Sequence, residues 1–249
     1  MREELDYCLR DSVRRHLVSD VPFGAFLSGG IDSSLIVGYM AEQLGQPVRT
    51  FSIGFDAPEA CELRFARQVA EKYRTDHHEQ VLTLDAFDVL PELVRHCGEP
   101  YGDQSAVATW AVCRLARQHV PMVLSGDGGD ELFAGYRKHQ AHFLAERYRR
   151  LPAPLRRGVI EPLVAALPAF RGTRLKGHVR LAKKMARSGS LPPHERFLAD
   201  SGYFTAPQKD LLYTPALRER VAGADPYMQH RARFARVADA DFLNQMLNL

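Results

Sequence analysis

The sequence predicts an α/β protein: a parallel, Rossmann-like sheet flanked by helices and followed by a helical C-terminal region. Short apolar runs alternate with stretches of helical periodicity, at a spacing typical of βαβ units. Two of the apolar runs lead into glycine-rich segments, at residues 27–34 and 121–136. In parallel sheets, ligands bind beyond the carboxyl ends of the strands, which makes these two segments the candidate site.

The order of the elements justifies the parallel sheet. The pattern predicts strand 21–27, helix 33–44, strand 48–54, helix 61–73, strand 77–82, helices 85–97 and 104–118, and strand 121–124. Right-handed crossovers join such strands. If the strand order is 3-2-1-4, the first and fourth strands are neighbours where the order reverses. The two glycine-rich segments would then converge at one end of the sheet.

The first segment, residues 27–34, reads LSGGIDSS after an apolar run. Gly29 and Gly30 allow a tight turn and a close approach of backbone N–H groups to an anion. A helix starting near Ser33 would point its positive end at that anion, and Asp32 could hold a divalent cation. Hydroxyl donors would be added by Ser28, Ser33 and Ser34. No lysine follows these glycines, as the G-x-x-x-x-G-K-[ST] loop requires, and their spacing does not fit the dinucleotide fingerprint. The alternative is a simple Gly-Gly turn between strand and helix.

The second segment, residues 121–136, reads PMVLSGDGGDELFAGY. Its acids, Asp127, Asp130 and Glu131, would repel one another without a cation or a cationic partner. Mg²⁺ bound to phosphate oxygens would supply that charge. The alternative is an acidic surface turn or a calcium loop. The spacing does not fit an EF-hand, and a strand precedes the loop where an EF-hand has a helix.

The two segments together resemble one enzyme family. Residues 28–34 resemble the pyrophosphate-binding loop S-G-G-x-D-S-S of ATP pyrophosphatases. Residues 125–136 resemble the S-G-[ED]-G-[SG]-D-E-x-F-x-G-Y signature of asparagine synthetases and β-lactam synthetases. The resemblance runs from about Glu4 to Tyr136 and then weakens; it includes residues 19–22, 51–55 and 77–78.

The resemblance implies that this domain uses ATP and Mg²⁺, and it implies roles by position. The backbones of Leu27 and Ile53 would meet the adenosine, and residues 28–34 would hold the β and γ phosphates. Contacts to ribose or the α phosphate would come from Ser125 and Gly126. The remaining implied roles are Mg²⁺ binding by Asp32 and Asp130, and a catalytic role in adenylylation for Asp127, where well-known asparagine synthetases carry a glutamate.

The reaction implied by the resemblance is the ATP-dependent formation of an amide. The aspartate side chain would be activated as β-aspartyl-AMP with release of pyrophosphate, and ammonia derived from glutamine would then give asparagine. Two alternatives stay open. One is a ligase of the same fold acting on another carboxylate, such as a sugar acid or a β-lactam precursor. The other is a non-catalytic nucleotide-binding module.

The ends of the chain bear on how much of that enzyme is present. In the family, an N-terminal glutaminase domain begins with a cysteine directly after the initiator methionine, whereas here Arg2 follows Met1. The downstream lysine-containing and Glu-x-Arg segments of the family are not found before Leu249. We therefore expect a truncated synthetase domain, with an α/β core over residues 1–136 and a helical extension over residues 137–249. Ammonia would come from the absent glutaminase domain, and a homodimer is compatible with the resemblance.

Composition predicts a soluble cytoplasmic enzyme without membrane spans. The chain has 249 residues, of which 45% are hydrophobic, and no apolar run long enough to cross a bilayer. Four cysteines without a C-x-x-C pair indicate reduced, mostly buried thiols: Cys8, Cys61, Cys97 and Cys113. Adjacent His77 and His78 would point to opposite faces of a strand, which favours one structural and one surface histidine over a shared metal.

Charge is distributed unevenly along the chain. Residues 1–136 carry 12 basic and 21 acidic side chains, whereas residues 137–196 carry 15 basic and three acidic ones. The basic stretch lacks the interleaved aromatic residues and recognisable modules of nucleic-acid-binding proteins. We therefore expect no nucleic-acid partner, and interpret the stretch as solvated helices with a mobile loop near residues 170–190.

Overall fold

The computed structural model describes residues 2–56, 62–82, 86–99, 102–103, 105–168, 176–189, 191–202, 204, 206–225 and 227–248. The chain divides into two compact units, residues 1–128 and 129–249. The dividing point lies within the second glycine-rich segment. A domain boundary after Tyr136 stays a prediction.

The first unit contains the sheet and the helices that cover it. Its elements are, in order, α1 (Arg2–His16), β1 (Phe23–Phe26), α2 (Ile31–Gln43), β2 (Arg49–Phe55), α3 (Leu63–Tyr73), β3 (Asp76–Leu82), α4 (Ala86–Cys97), α5 (Ala106–Arg117) and β4 (Met122–Leu124). Each predicted strand and helix is present. The structure adds α1, and α2 begins two residues earlier than expected.

The four strands form a parallel sheet in the order β3-β2-β1-β4. Ala25 of β1 pairs with Thr50 of β2 on one side and with Leu124 of β4 on the other. β1 and β4 are therefore neighbours with the same direction, and the residues that follow them leave the sheet at the same end. The expected convergence of the two glycine-rich segments is confirmed.

Apolar side chains alternate between the two faces of the sheet and bury it on both sides. Ala25 and Leu27 point to the face covered by α1, α2 and α3, where they pack with Val37 and Met40. Phe51 points to the other face and packs against Leu115 and neighbouring residues of α5. Burial on both faces is what parallel sheets require, because helices cross over each of them.

The second unit consists of helices in the part of the chain that the structure describes. They are α6 (Gly129–Phe133), α7 (Arg137–Arg149), α8 (Ala153–Leu155), a π-helical turn (Arg156–Ile160), α9 (Glu161–Ala166), α10 (Lys176–Ser188), α11 (Pro193–Ser201), α12 (Ala206–Leu212), α13 (Pro215–Val221), α14 (Met228–Arg236) and α15 (Phe242–Leu247). α11 lies at the centre of this unit and contacts α7, α10, α14 and α15.

Two expectations for the basic stretch are wrong. The mobile loop predicted near residues 170–190 contains the helix α10, while residues 169–175 lie outside the described residues. The basic side chains are also not all solvated, since Arg156 is 7% exposed and Arg196 is 1% exposed. Arg196 bonds Glu146 at 3.1 Å, and this partner compensates the burial of its charge.

No helix within the described ranges is both long and apolar enough to cross a membrane.

Candidate functional site

The loop after β1 is shaped by glycines at its turn. Gly29 has φ of +80°, and a Cβ placed on it would lie 2.5 Å from the backbone carbonyl carbon of Phe65 in α3. Only glycine combines this conformation with this close approach. At the strand end, the Leu27 amide bonds the Phe51 carbonyl at 2.9 Å, and the Ser52 hydroxyl donates to the Leu27 carbonyl. The loop therefore leaves the sheet from a fixed point.

α2 begins at Ile31, with Gly30 as its N-cap. The first backbone N–H groups of a helix have no partner within the helix, and they face an anion favourably. Asp32 lies in this first turn. The helix terminus thus opens beside the glycine turn, as the sequence predicts for a phosphate-binding loop.

The serines of this loop have different surroundings. Ser33 is 8% exposed, and its hydroxyl accepts the Ser28 amide at 3.2 Å and lies 3.0 Å from the Ser28 hydroxyl. The Gly30 amide in turn donates to the Ser28 hydroxyl at 3.1 Å. Ser28 itself is exposed, whereas the hydroxyl oxygen of Ser34 is buried without a hydrogen-bond partner among the described residues. Ser33 therefore organises the loop, and Ser28 is the serine presented at its surface.

The second loop meets the first at Gly126. A Cβ on Gly126 would lie 2.8 Å from the Ser33 backbone nitrogen and 3.0 Å from Asp32. The backbone that follows β4 thus passes directly over the N-terminus of α2, at a distance that only a glycine allows. The structure thus brings Gly126 against Asp32 and Ser33, two neighbouring residues that are far from it in the sequence.

The two residues that flank Gly126 are joined by hydrogen bonds: Ser125 on one side and Asp127 on the other. The Ser125 hydroxyl donates to the Asp127 carboxylate at 2.8 Å and accepts the Asp127 amide at 3.4 Å. Asp127 is exposed. A carboxylate that accepts a neighbouring hydroxyl is held in one orientation, so the two residues act as one polar group at the rim of the loop.

The remaining acids of the segment belong to the second unit. Asp130 lies in α6 and is half-buried, and a Cβ on Gly135 would come within 1.9 Å of its Oδ1 atom. The Tyr136 hydroxyl donates to Glu131, and this hydrogen bond lowers the pKa of the Glu131 carboxyl. Within the described residues, no group of three or more His, Cys, Asp or Glu side chains could hold a metal ion. Mg²⁺ in nucleotide sites is typically held by one or two carboxylates together with phosphate oxygens.

A cavity of about 190 Å³ lies at the carboxyl ends of β1 and β2. Its lining includes the sequence-predicted residues Leu27, Ser28 and Ile53. No role was predicted from the sequence for the rest of the lining, which is Phe26, Phe51, Ser52, Glu62, Leu63, Ala66, Ala108, Thr109 and Val112. Helical spacing marks Ala108 and Val112 as one face of a helix but carries no sign that this face borders a cavity. The cavity is a mostly apolar slot with a few polar groups beside the glycine turn, the character of small-molecule sites in general.

A larger cavity, of about 730 Å³, lies elsewhere in the first unit. It is bordered by α4, α5 and the segment from Val120 to Val123, and it contains no residue of the loop from Ser28 to Ser34. The smaller cavity is therefore the one that adjoins the candidate site.

The structure also corrects two expectations about isolated side chains. Cys8, Cys97 and Cys113 are exposed, contrary to the prediction of mostly buried thiols, while Cys61 lies outside the described residues. His77 and His78 point to opposite faces as expected. However, neither is a surface residue, since their side chains are 12% and 28% exposed.

Each histidine has contacts that explain its burial. His77 bonds the Thr50 hydroxyl at 2.9 Å, and burial lowers its pKa. His78 packs with Phe51 and His119 in a three-ring cluster, at ring-centroid distances of 5.5 and 3.9 Å from them. Both therefore belong to the packing of β3 rather than to a metal site.

Comparison with known proteins relates this chain to asparagine synthetases. Residues 4–247 match the family model described as asparagine synthase. The chain is 31% identical over 222 residues to asparagine synthetase [glutamine-hydrolyzing] 1 of Bacillus subtilis, covering 88% of this chain and 33% of that protein. It is 35% identical over 229 residues to a putative asparagine synthetase of Mycobacterium tuberculosis, covering 92% of this chain and 32% of that protein.

A putative asparagine synthetase of Methanocaldococcus jannaschii is 37% identical over 201 residues, which cover 80% of this chain and 38% of that protein. The chain thus spans about a third of the length of these curated relatives. The family model covers nearly all of it, including both glycine-rich loops. The chain belongs to the asparagine synthase family.

Proposed function

We propose that this chain is the ATP-using domain of an asparagine synthetase that hydrolyses glutamine. The observation that carries the proposal is the approach of Gly126 to the Ser33 amide, which joins the two glycine-rich loops at the N-terminus of α2. One anion placed there would face the helix terminus and both loops at once. The adjoining cavity supplies an apolar slot for the nucleoside.

Roles follow from these positions and from the family resemblance. Leu27 and Ile53 border the nucleoside, the loop from Ser28 to Ser34 holds the β and γ phosphates, and Ser125 with Gly126 lies at the ribose or α phosphate. By the family resemblance, Asp32 and Asp130 are the proposed Mg²⁺ ligands, and Asp127 is the proposed catalytic carboxylate. The bound Mg²⁺ would neutralise charge on the phosphates.

In the proposed reaction, the aspartate side-chain carboxylate attacks the α phosphate and pyrophosphate leaves, which gives β-aspartyl-AMP. Ammonia then attacks the acyl carbon, AMP leaves, and asparagine is formed. The chain contributes by orienting the phosphates and by offering donors to the charge that builds on pyrophosphate. No covalent intermediate with the protein is needed.

Asp32→Ala is expected to reduce pyrophosphate release by the full-length protein at least a hundredfold, because a carboxylate ligand to Mg²⁺ is lost. Release would be measured with ATP, Mg²⁺, aspartate and glutamine, and the products separated by chromatography. Glu42→Ala, an acid on the exposed end of the same helix, serves as the control and should leave turnover unchanged. Normal turnover in Asp32→Ala would refute the metal role.

The same assay separates the remaining alternatives. Asparagine and pyrophosphate in equal amounts support the proposal. Pyrophosphate release that requires a different carboxylate would identify a related ligase. ATP binding measured by calorimetry, without release of pyrophosphate under any of these conditions, would identify a nucleotide-binding module.

Ser33→Ala is expected to weaken ATP binding by about tenfold, because the Ser28 amide loses its acceptor in a nearly closed environment. Calorimetric titration with a non-cleavable ATP analogue would measure this loss. Ser12→Ala, on α1, is the matched control. Binding equal to that of the wild type would show that Ser33 does not organise the loop.

A further inference from the structure

The acidic part of the second loop folds back on itself. After α6, Ala134 takes a left-handed conformation with φ of 57°, and the Gly135 amide bonds the Asp130 carbonyl at 3.0 Å. The Asp130 carboxylate occupies the space that a Cβ on Gly135 would fill, with Oδ1 1.9 Å from that position. Its orientation therefore depends on where the chain continues after Gly135.

Tyr136 is the next residue, and it holds this turn from the other side. Its hydroxyl donates to Glu131, the neighbour of Asp130. A rotation of the Tyr136 ring would release Glu131 and with it the last turn of α6. The position of the ring consequently matters for the carboxylates of the loop.

The Tyr136 ring forms one side of an aromatic sandwich, which we define as Tyr136, Lys138 and Phe197. The Lys138 ammonium lies 4.9 Å from the Tyr136 ring centroid and 4.9 Å from that of Phe197. An ammonium between two ring faces is attracted to both of them. The sandwich therefore links the acidic loop to α11, which lies far along the chain.

Phe197 is itself well supported. It is half-buried, and its ring lies 5.9 Å from the His142 ring of α7. The preceding residue, Arg196, bonds the Glu146 carboxylate of α7 at 3.1 Å and the His142 carbonyl at 3.4 Å. α11 thus presents Phe197 from a fixed position.

We infer that Phe197 is a positioning residue for the acidic loop: through Lys138 and Tyr136 it fixes the turn that orients Asp130. This inference rests on the proposed function, in which Asp130 binds the Mg²⁺ of ATP. It assigns a task in the reaction to α11, which lies outside both glycine-rich signatures.

The functional test is the Mg²⁺ requirement of Phe197→Leu in the full-length protein. At saturating ATP, the Mg²⁺ concentration for half-maximal pyrophosphate release should rise about threefold to tenfold, as expected for the loss of one cation–π contact. Phe197→Trp keeps a ring face and should restore the wild-type requirement. Phe143→Leu is the matched control, because it makes the same change on α7, where the ring packs on Phe242. An equal shift in Phe143→Leu, or no rescue by tryptophan, would overturn the inference.

A second readout does not depend on activity. The ε-methylene protons of Lys138, followed by NMR, should be shifted upfield by the two rings, and Phe197→Leu should reduce that shift. A reduced shift with an unchanged Mg²⁺ requirement in an active enzyme would overturn the positioning role. If the wild type shows the upfield shift but never releases pyrophosphate, the proposed function has failed, and the inference built upon it fails as well.

Discussion

Gly126→Ala is expected to reduce pyrophosphate release by roughly a hundredfold while leaving the protein folded. The added methyl group would lie 2.8 Å from the Ser33 nitrogen and 3.0 Å from the carbonyl carbon and Cβ of Asp32. These are mostly backbone atoms, so the strain is relieved only by separating the loop after β4 from the start of α2. A misplacement of about 1 Å in a catalytic site reduces turnover by roughly a hundredfold.

The measurement is the rate of pyrophosphate release by full-length Gly126→Ala, together with calorimetric binding of ATP. Gly45→Ala is the matched control, because nothing lies within 4 Å of a Cβ at Gly45. It should retain the wild-type rate. If Gly126→Ala also retained the wild-type rate, the two loops would not have to meet at this point during the reaction. The approach of Gly126 to the Ser33 amide would then no longer support the proposed function.

Gly29→Ala is expected to destabilise the first unit as well as to inactivate it. Two effects lower the free energy of unfolding. Alanine is strained in the left-handed conformation, at φ of +80°, and its Cβ would lie 2.5 Å from the backbone of Phe65. The conformation costs on the order of 1 kcal/mol for alanine, and overpacking against a helix costs about 1–3 kcal/mol more. Since α3 contacts both α2 and β2, a shift of Phe65 would also disturb the core.

Gly98→Ala separates the cost of the left-handed conformation from the cost of the steric contact. Gly98 has φ of +77°, but nothing lies within 4 Å of its Cβ position. It should therefore show the conformational cost alone, of about 1 kcal/mol. Unfolding can be followed by the fluorescence of Trp110, because it is the single tryptophan of the chain and lies in α5 of the first unit. Equal unfolding midpoints for Gly29→Ala and Gly98→Ala would mean that α3 shifts to accommodate the added methyl group at little cost in free energy.

Much of the first unit could be predicted because its signals are local. Alternation of apolar strands with helical periodicity predicted every strand of the sheet, and glycines at strand ends predicted the loops. Ser33 shows where this reasoning fails. The sequence marks it as one of several hydroxyl donors, but α2 begins at Ile31, so Ser33 lies in the first turn and points back to Ser28. The beginning of a helix is set by capping contacts, which a pattern locates only approximately.

The second unit was harder to predict because its contacts join distant segments. A run of basic residues reads as a solvated surface, yet Arg196 is buried because Glu146 of another helix meets it. The exposed cysteines have a similar explanation. The residues around a cysteine do not indicate whether its thiol is buried, because burial depends on which face of the helix packs against the rest of the protein. Neither property follows from the neighbouring residues in the sequence.

The sequence by itself determined the family, the parallel sheet and the two glycine-rich loops. Glycine, serine and aspartate at fixed spacing, and apolar strands alternating with helices, are patterns that can be recognised within short segments. Tertiary structure alone decided that Gly126 lies over the Ser33 amide, that α3 and α5 border the smaller cavity, and that Phe197 reaches Lys138. These contacts depend on how helices pack on the sheet and on one another. Packing is a property of surfaces brought together by the whole chain, which no single segment encodes.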